Sequence, residues 1–345
     1  MFEALLTLCL AAADAPCRDV LLPGHEAVEQ SLCEASLSAA PAPEFPGLAA
    51  QGPARCATAG PALDVEEVAP GVFVHMGAIA EPDMENGGDV ANLGFVIGAR
   101  SVAVIDSGTT RAVGESLWRA IRARTDLPVS HLILTHMHPD HVLGASVFAE
   151  AGAEIVGAEG LARALLDRQA NYLQSIETLV GPGAFIGTTA LRPDRMVTDR
   201  AEIDLGGRVL ALQTWPLSHT GTDLTVRDSA SGVFFAGDLV FHLHTPALDG
   251  SLLGWQEVMD DLAALPITRL IPGHGGPVLD WPESAAPMRR YLDVLEADTR
   301  AALDRGDRLA DAVQEIAESE RPHWQLFDAY NPRNATNAFT ELEWE

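Results

Sequence analysis

Ten consecutive residues constrain this chain more than any others. Leu132-Ile133-Leu134-Thr135-His136-Met137-His138-Pro139-Asp140-His141 opens as an apolar run and ends with three histidines and an aspartate in six positions. The opening predicts a buried strand. His136 and His138 lie two apart, so an extended backbone points both rings to one side. Pro139 cannot continue a strand ladder, so the chain turns there. That turn can bring Asp140 and His141 to a second point beside the first. Imidazole nitrogen and carboxylate oxygen suit Zn²⁺, at roughly 2.0–2.2 Å. Two pairs of such groups at one strand end point to two metals.

Two metals need more ligands than this stretch supplies, and three later sites fit. His219 follows the strand-like Val209-Leu210-Ala211-Leu212, Asp238 follows Val233-Phe234-Phe235, and His274 follows Leu270-Ile271. Asp238 alone reads equally as a turn aspartate. Together the three repeat one arrangement, a buried strand ending in a ligand on a Gly-containing loop. From about Val65 to Val278 the set resembles the metallo-β-lactamase superfamily. The resemblance implies an α/β fold, a four-layer αββα sandwich with the site at one edge of its sheets. It implies that His136, His138 and His219 hold one Zn²⁺, that Asp140, His141 and His274 hold a second, and that Asp238 bridges them. Asp140 and Asp238 are then the catalytic candidates for relaying a proton. Asp106, at the end of Ile105-Asp106-Ser107-Gly108, would take the outer N–H of a metal-bound histidine.

The chain has 345 residues, 47% of them hydrophobic, enough for one large core with appendages. All 22 basic residues are arginine and the formal charge is −27, which excludes nucleic acid as a partner. Residues 1–15 read as a cleaved signal peptide, because Phe2 to Ala13 is apolar and ends in small residues. Glu3 departs from that pattern. No later stretch reaches the ~20 apolar residues of a membrane span. Loss of Cys9 would leave Cys17, Cys33 and Cys56, one disulfide and one thiol. Residues 16–60 read as a small appended region with a linker, 61–282 as the hydrolase domain, and 283–345 as a C-terminal helical extension. Helices are expected at 111–124, 142–149, 161–179, 254–265, 284–302 and 309–317. The Gly87-Gly88 loop is a candidate flap, with Asp89 and Asn92 as substrate contacts. Tyr172, on the 161–179 helix, and His244, after Asp238, are further substrate-contact candidates, His244 also as a general acid. The tail from Glu341 carries no motif.

Metallo-β-lactamases with this histidine pattern generally lack an aspartate like Asp238, which disfavours antibiotic hydrolysis. Glyoxalase II-like thioester hydrolases bind glutathione through basic residues that this chain does not cluster. The runs from Gly87 to Ile97 and from Thr135 to Val142 look like those of zinc hydrolases associated with quinoprotein relay systems. That likeness implies a periplasmic or secreted protein acting on a small molecule beside a PQQ-dependent dehydrogenase. The expected activity is hydrolysis of an ester, thioester, lactone or amide by a hydroxide between two Zn²⁺ ions. The alternatives are a metal-containing accessory protein with little turnover, a glyoxalase II-like enzyme, a β-lactamase, or iron at the same ligands.

Overall fold

The computed structural model describes residues 1–11, 15–39, 44–276 and 278–344. The chain begins with β1 (Phe2–Leu10), β2 (Cys17–Ala27), α1 (Gln30–Ala39), β3 (Leu48–Ala50) and β4 (Arg55–Thr58). β1 is the middle strand of this first sheet, antiparallel to β2 on one side and to β3 and β4 on the other. Disulfides join Cys9 to Cys17 and Cys33 to Cys56.

Residues 2–10, read from the sequence as part of a leader, form the middle strand of this sheet. Ala4, Leu6 and Leu8 are buried while intervening positions are partly open, the period of a half-buried strand. Glu3, the residue out of place in a leader, is buried against the Arg119 guanidinium at 2.8 Å. The cysteines pair two and two, without a leftover thiol. The small residues offered as a cleavage site fall mostly on 12–14, outside the described residues, as do residues 41–43 of the linker.

A second sheet follows, with β5 (Glu66–Ala69), β6 (Val72–His75), β7 (Leu93–Ile97), β8 (Val102–Ile105), α2 (Arg111–Arg122), β9 (Val129–Ile133), α3 (Pro139–Val142), α4 (Ser146–Glu150), β10 (Glu154–Ala158), α5 (Leu161–Val180), α6 (Pro182–Phe185) and β11 (Arg195–Val197). Its order is β11-β10-β9-β8-β7-β6-β5, parallel from β8 to β11. The third sheet takes β12 (Arg200–Asp204), β13 (Val209–Thr214), β14 (Leu224–Asp228), β15 (Phe234–Phe241), α7 (Leu252–Ala264), β16 (Arg269–His274) and β17 (Leu279–Asp280), in that strand order. The chain closes with α8 (Ala286–Arg305), α9 (Leu309–Ala312) and α10 (Phe327–Leu342).

Alternating side chains stack these parts into four layers. Val72, Val74, Ala103 and Ile105 face Leu210, Leu212, Val226 and Phe235 between the two large sheets. Their neighbours Phe73, Val102 and Val104 face outward onto Leu117, Ile121 and Phe148 of the α2 and α4 layer. Phe234 and Leu270 face the other way, onto Trp255, Leu292 and Phe339 of α7, α8 and α10. This is the expected αββα sandwich, since a strand buried on both faces needs an apolar partner on each.

The N-terminal sheet is tied to the α2 side of the sandwich rather than hung from a linker. Arg111, fully buried, pairs with Glu115 and Glu150 and donates to the Leu21 carbonyl. Glu115 also accepts from Arg18 and from the Leu21 amide. Among the described residues no helix is long and apolar enough to cross a membrane.

Candidate metal centre

β9 delivers the histidine cluster to the edge of the sandwich. The chain leaves the strand after Ile133, and α3 begins at Pro139 with Asp140 in its first turn and His141 in its last. The loop after β13 brings His219, β15 carries Asp238, and β16 ends at His274. These seven side chains meet in two groups, His136, His138, His219 and Asp238 in one, Asp140, His141 and His274 in the other. The ligand atoms within each group lie within 4.8 Å of one another.

Asp238 joins the groups. Its Oδ2 lies 3.6 Å from His136 Nε2, 3.5 Å from His219 Nε2 and 3.4 Å from His274 Nε2, and its Oδ1 lies 3.2 Å from His141 Nε2. Asp140 Oδ2 lies 3.1 Å from His274 Nε2 and 3.5 Å from His141 Nε2.

Each imidazole is held from behind. His141 Nδ1 meets Asp106 Oδ2 at 2.8 Å, and His138 Nε2 meets Asp249 Oδ2 at 3.1 Å. His219 Nδ1 meets the Ala247 carbonyl at 2.6 Å, and His274 Nδ1 the Val90 carbonyl at 3.0 Å. His136 Nδ1 lies 3.0 Å from Thr135 Oγ1, whose hydroxyl donates to Asp106. An acceptor on the outer nitrogen puts the proton there and turns the other lone pair inward. His138 is inverted relative to the rest: its Nδ1 faces inward, 3.0 Å from His219 Nε2.

The donors fit a pair of cations. His136 Nε2, His141 Nε2 and Asp238 Oδ1 are buried without hydrogen-bond partners. Such orphaned atoms are costly unless something else satisfies them. His141 Nε2 and Asp238 Oδ1 approach to 3.2 Å yet form no directed hydrogen bond, as two ligands of one cation do. Burial keeps the His136 ring neutral and pushes His219 down to about 3. Burial opposes ionisation of Asp238 and Asp140, but the charges of His274 and His141 on the first and of His141 on the second hold both carboxyls well below their usual range. His274 rises to about 9 because Asp238 and Asp140 outweigh its burial. Metals bind neutral imidazoles and ionised carboxylates, so a cation here would displace the protons that Asp238 and Asp140 favour on His141 and His274.

Glycine makes the approach of Asp238 possible. A Cβ on Gly273 would stand 1.9 Å from Asp238 Oδ1, far inside contact distance.

The family model for the metallo-beta-lactamase superfamily matches residues 86–274, more than half of the chain and every one of the seven cluster residues. The chain belongs to the metallo-β-lactamase superfamily. That superfamily comprises metal-dependent hydrolases, and the His/Asp cluster here is suited to metal binding. Among solved structures the chain is similar to a metallo-beta-lactamase from Pontibacter korlensis, 20% identical with a TM-score of 0.55, covering 67% of this chain and 99% of that one. It is also similar to the inverting sec-alkylsulfatase Pisa1 from Pseudomonas sp., 16% identical with a TM-score of 0.62, covering 81% of this chain and 50% of that one. DIM-1 metallo-beta-lactamase is 16% identical with a TM-score of 0.53, covering 68% of this chain and 98% of that one. At these identities the likeness is one of fold. The sequence matches no curated protein.

A cleft of about 800 Å³ opens over the cluster, lined by His138, Asp140, Asp238 and His274 below and by α5 and α10 at the sides. Of the four residues expected to touch substrate, Tyr172 and His244 line it. Asp89 and Asn92 do not. Asp89 is engaged with His75 Nε2 at 2.7 Å. Asn92 is buried, accepting from the Gly77 amide and donating to the Pro272 and Gly275 carbonyls. It braces the turn that presents His274. The loop near Gly87 works from behind as well, through the Val90 carbonyl. His244 is a poor general acid: burial pushes it down to about 4, so its ring is neutral near pH 7. It packs between His274 and Tyr330, at centroid distances of 4.8 and 4.7 Å.

Several site residues escaped the sequence reading. Asp249 stands in an ordinary-looking turn, and the Ala247 and Val90 carbonyls carry no side-chain signal. Arg168, which pairs with Asp249 at 2.5 Å, sits on α5 one turn from Tyr172. Tyr330, Arg333, Asn334 and Asn337 follow an i, i+3, i+4, i+7 pattern, a legible sign of a helix face that was not read.

Proposed function

We propose that the chain is a dinuclear zinc hydrolase acting on a small molecule in the cleft beside His138 and His274. The observation that carries it is the position of Asp238, within 3.6 Å of imidazole nitrogens from both halves of the cluster. Two Zn²⁺ ions bound there supply the Lewis acidity that makes water nucleophilic near neutral pH. His136, His138 and His219 would hold one ion, Asp140, His141 and His274 the other, with Asp238 shared. The protein's own share is to orient and to move a proton. Asp106 and Asp249 fix the ring orientation of His141 and His138. Asp140, held ionised and facing the cleft, accepts the proton that the attacking water gives up. His244 and Phe241 exclude solvent behind His274, Phe241 stacking on that ring at 5.2 Å.

The bond cleaved is an ester, thioester, lactone or amide. Likeness to the quinoprotein relay hydrolases supports a place beside a PQQ-dependent dehydrogenase outside the cytoplasm, and the two disulfides support an oxidising compartment. The test is elemental analysis of the purified protein, followed by a substrate panel with wild type and His138→Ala. The panel holds an ester, a thioester, a lactone, a β-lactam and, after the similar alkylsulfatase, a sec-alkyl sulfate. About two zinc atoms per chain are expected, with turnover that falls by orders of magnitude in His138→Ala. Iron in place of zinc, or equal rates for both proteins on every substrate, would refute the proposal.

A further inference from the structure

We propose that the cleft selects an anionic small molecule, its negative group seated on Arg333 and its reacting bond over the metal cluster. The location of the reacting bond rests on the hydrolase assignment above; the anion seat does not.

The charges of the cleft lead to it. Apart from histidines, six charged side chains line it: Glu81, Asp140, Arg168, Asp238, Asp249 and Arg333. Asp140 and Asp238 belong to the metal cluster, and Arg168 is spent on Asp249. That leaves Glu81 and Arg333 without ion-pair partners among the described residues. Glu81 stands on an exposed loop within electrostatic reach of Tyr330. Arg333 has company: Tyr330, one turn earlier on α10, presents a hydroxyl with no hydrogen-bond partner among the described residues. On the α5 wall the Tyr172 hydroxyl is buried beside Arg168, with which it interacts. Burial, with Asp140 among the nearby carboxylates, raises both phenols above their ordinary value, so both remain O–H donors. One free guanidinium and the Tyr330 hydroxyl one turn away form a donor set for an acceptor-rich, negative group.

The wall that carries Arg333 is rigid and at a useful distance. Asn334 is buried, donating to the Pro246 carbonyl and to the Tyr291 hydroxyl while accepting from the Leu248 amide. Asn337 donates to the Leu248 carbonyl. α10 is therefore pinned to the loop after β15 at the turn where it faces the cleft. From His274 to Arg333 the path runs by way of two ring contacts, each under 5 Å between centroids, then one helical turn of about 5.4 Å. That path is at most about 15 Å, and the reach of the Arg333 side chain brings its end within the span of an acyl or alkyl chain. In a protein of charge −27, an unpaired arginine here overcomes the general repulsion of anions only locally, which confers selectivity as well as affinity.

The test uses the zinc-loaded full-length protein and two probes of equal length, 4-phenylbutyrate and 4-phenylbutanol, titrated by calorimetry. Wild type is expected to prefer the anion, and Arg333→Gln to weaken it roughly tenfold or more while leaving the alcohol unchanged. Tyr330→Phe should weaken the anion less. Arg333 is exposed, so the variant keeps its fold, checked by circular dichroism. Three results overturn the inference: equal affinity of wild type for both probes, no binding of the anion at millimolar concentration, or an Arg333→Gln affinity within about twofold of wild type. The last is what a carboxylate held by the metals alone would give. Hydrolysis of 4-nitrophenyl hydrogen succinate and 4-nitrophenyl acetate separates the two claims. Arg333-dependent binding with neither these esters nor any panel substrate cleaved leaves the anion seat standing and removes the hydrolase. Cleavage of both esters, with KM indifferent to Arg333→Gln, does the reverse.

Discussion

Gly273 shows how much of this site depends on one missing atom. Its place is taken by the Asp238 carboxylate, which a Cβ would meet at 1.9 Å. Gly273→Ala is therefore expected to displace the residue that touches both halves of the cluster. Metal content should fall from about two ions to one or none, on the scale of ligand-shell disruptions, while the melting transition stays cooperative. A fully loaded variant would show that Asp238 is not the link. His75 gives a second, pH-dependent expectation. Burial disfavours its charged form, but the hydrogen bond and charge of Asp89 outweigh burial and raise it above 6.5. A group raised in the folded state contributes its full stabilisation below the unfolded value of about 6.5. That contribution is lost as pH rises through the folded value. Asp89→Asn should thus lower the His75 midpoint seen by NMR, and its stability deficit should shrink with rising pH. A deficit that grows with pH would contradict the pairing.

Helix ends explain why the tail matters at the scale of elements. Ser251 caps α7 by accepting from the Gly254 amide, and Glu341 of α10 accepts from the Ser251 hydroxyl and the Leu252 amide. A carboxylate at a helix N-terminus is favoured by the exposed amides and the helix dipole. Glu341→Ala should cost about 1 kcal/mol and raise hydrogen exchange in 327–342 before the rest of the molecule. Uniform exchange in both proteins would mean that α10 is held by its apolar face alone. The same helix carries Tyr330 and Arg333, so a loosened α10 also loosens one wall of the cleft.

Across the whole molecule, the N-terminal sheet is secured by charges that have no water to retreat to. Arg111 is wholly enclosed between Glu115, Glu150 and the Leu21 carbonyl. Removing one member of a buried pair leaves the others uncompensated, at about 3–5 kcal/mol. Arg111→Ala should therefore lower the melting temperature markedly and open β2 to proteolysis, with metal content unchanged. Arg111→Met, which fills the space but takes the arginine from Glu150 and leaves Glu115 to Arg18 and the Leu21 amide, should fare no better. Wild-type protease resistance in either variant would make the network dispensable.

Local patterns carried much of this protein. The apolar runs of β6, β8 and β15, the turn forced by Pro139 and the spacing of His136 and His138 are properties of neighbouring residues, so strands and the cluster of ligand types could be read along the chain, and the sandwich followed from the resemblance they carry. Several boundaries moved by a few residues because helix and strand ends depend on caps and partners. The apolar run at 2–10 reads alike as a leader and as a strand, and only the pairing of Glu3 with Arg119 and of Cys9 with Cys17 displays it as a strand. Asp89 and Asn92 misled for the same reason: a polar side chain in a loop has no direction until its partners, here His75 and the turn before His274, are in place. The carbonyls of Val90 and Ala247, the carboxylate of Asp249 and the α10 wall act across separations of many residues, where chain connectivity says nothing and only packing brings them together.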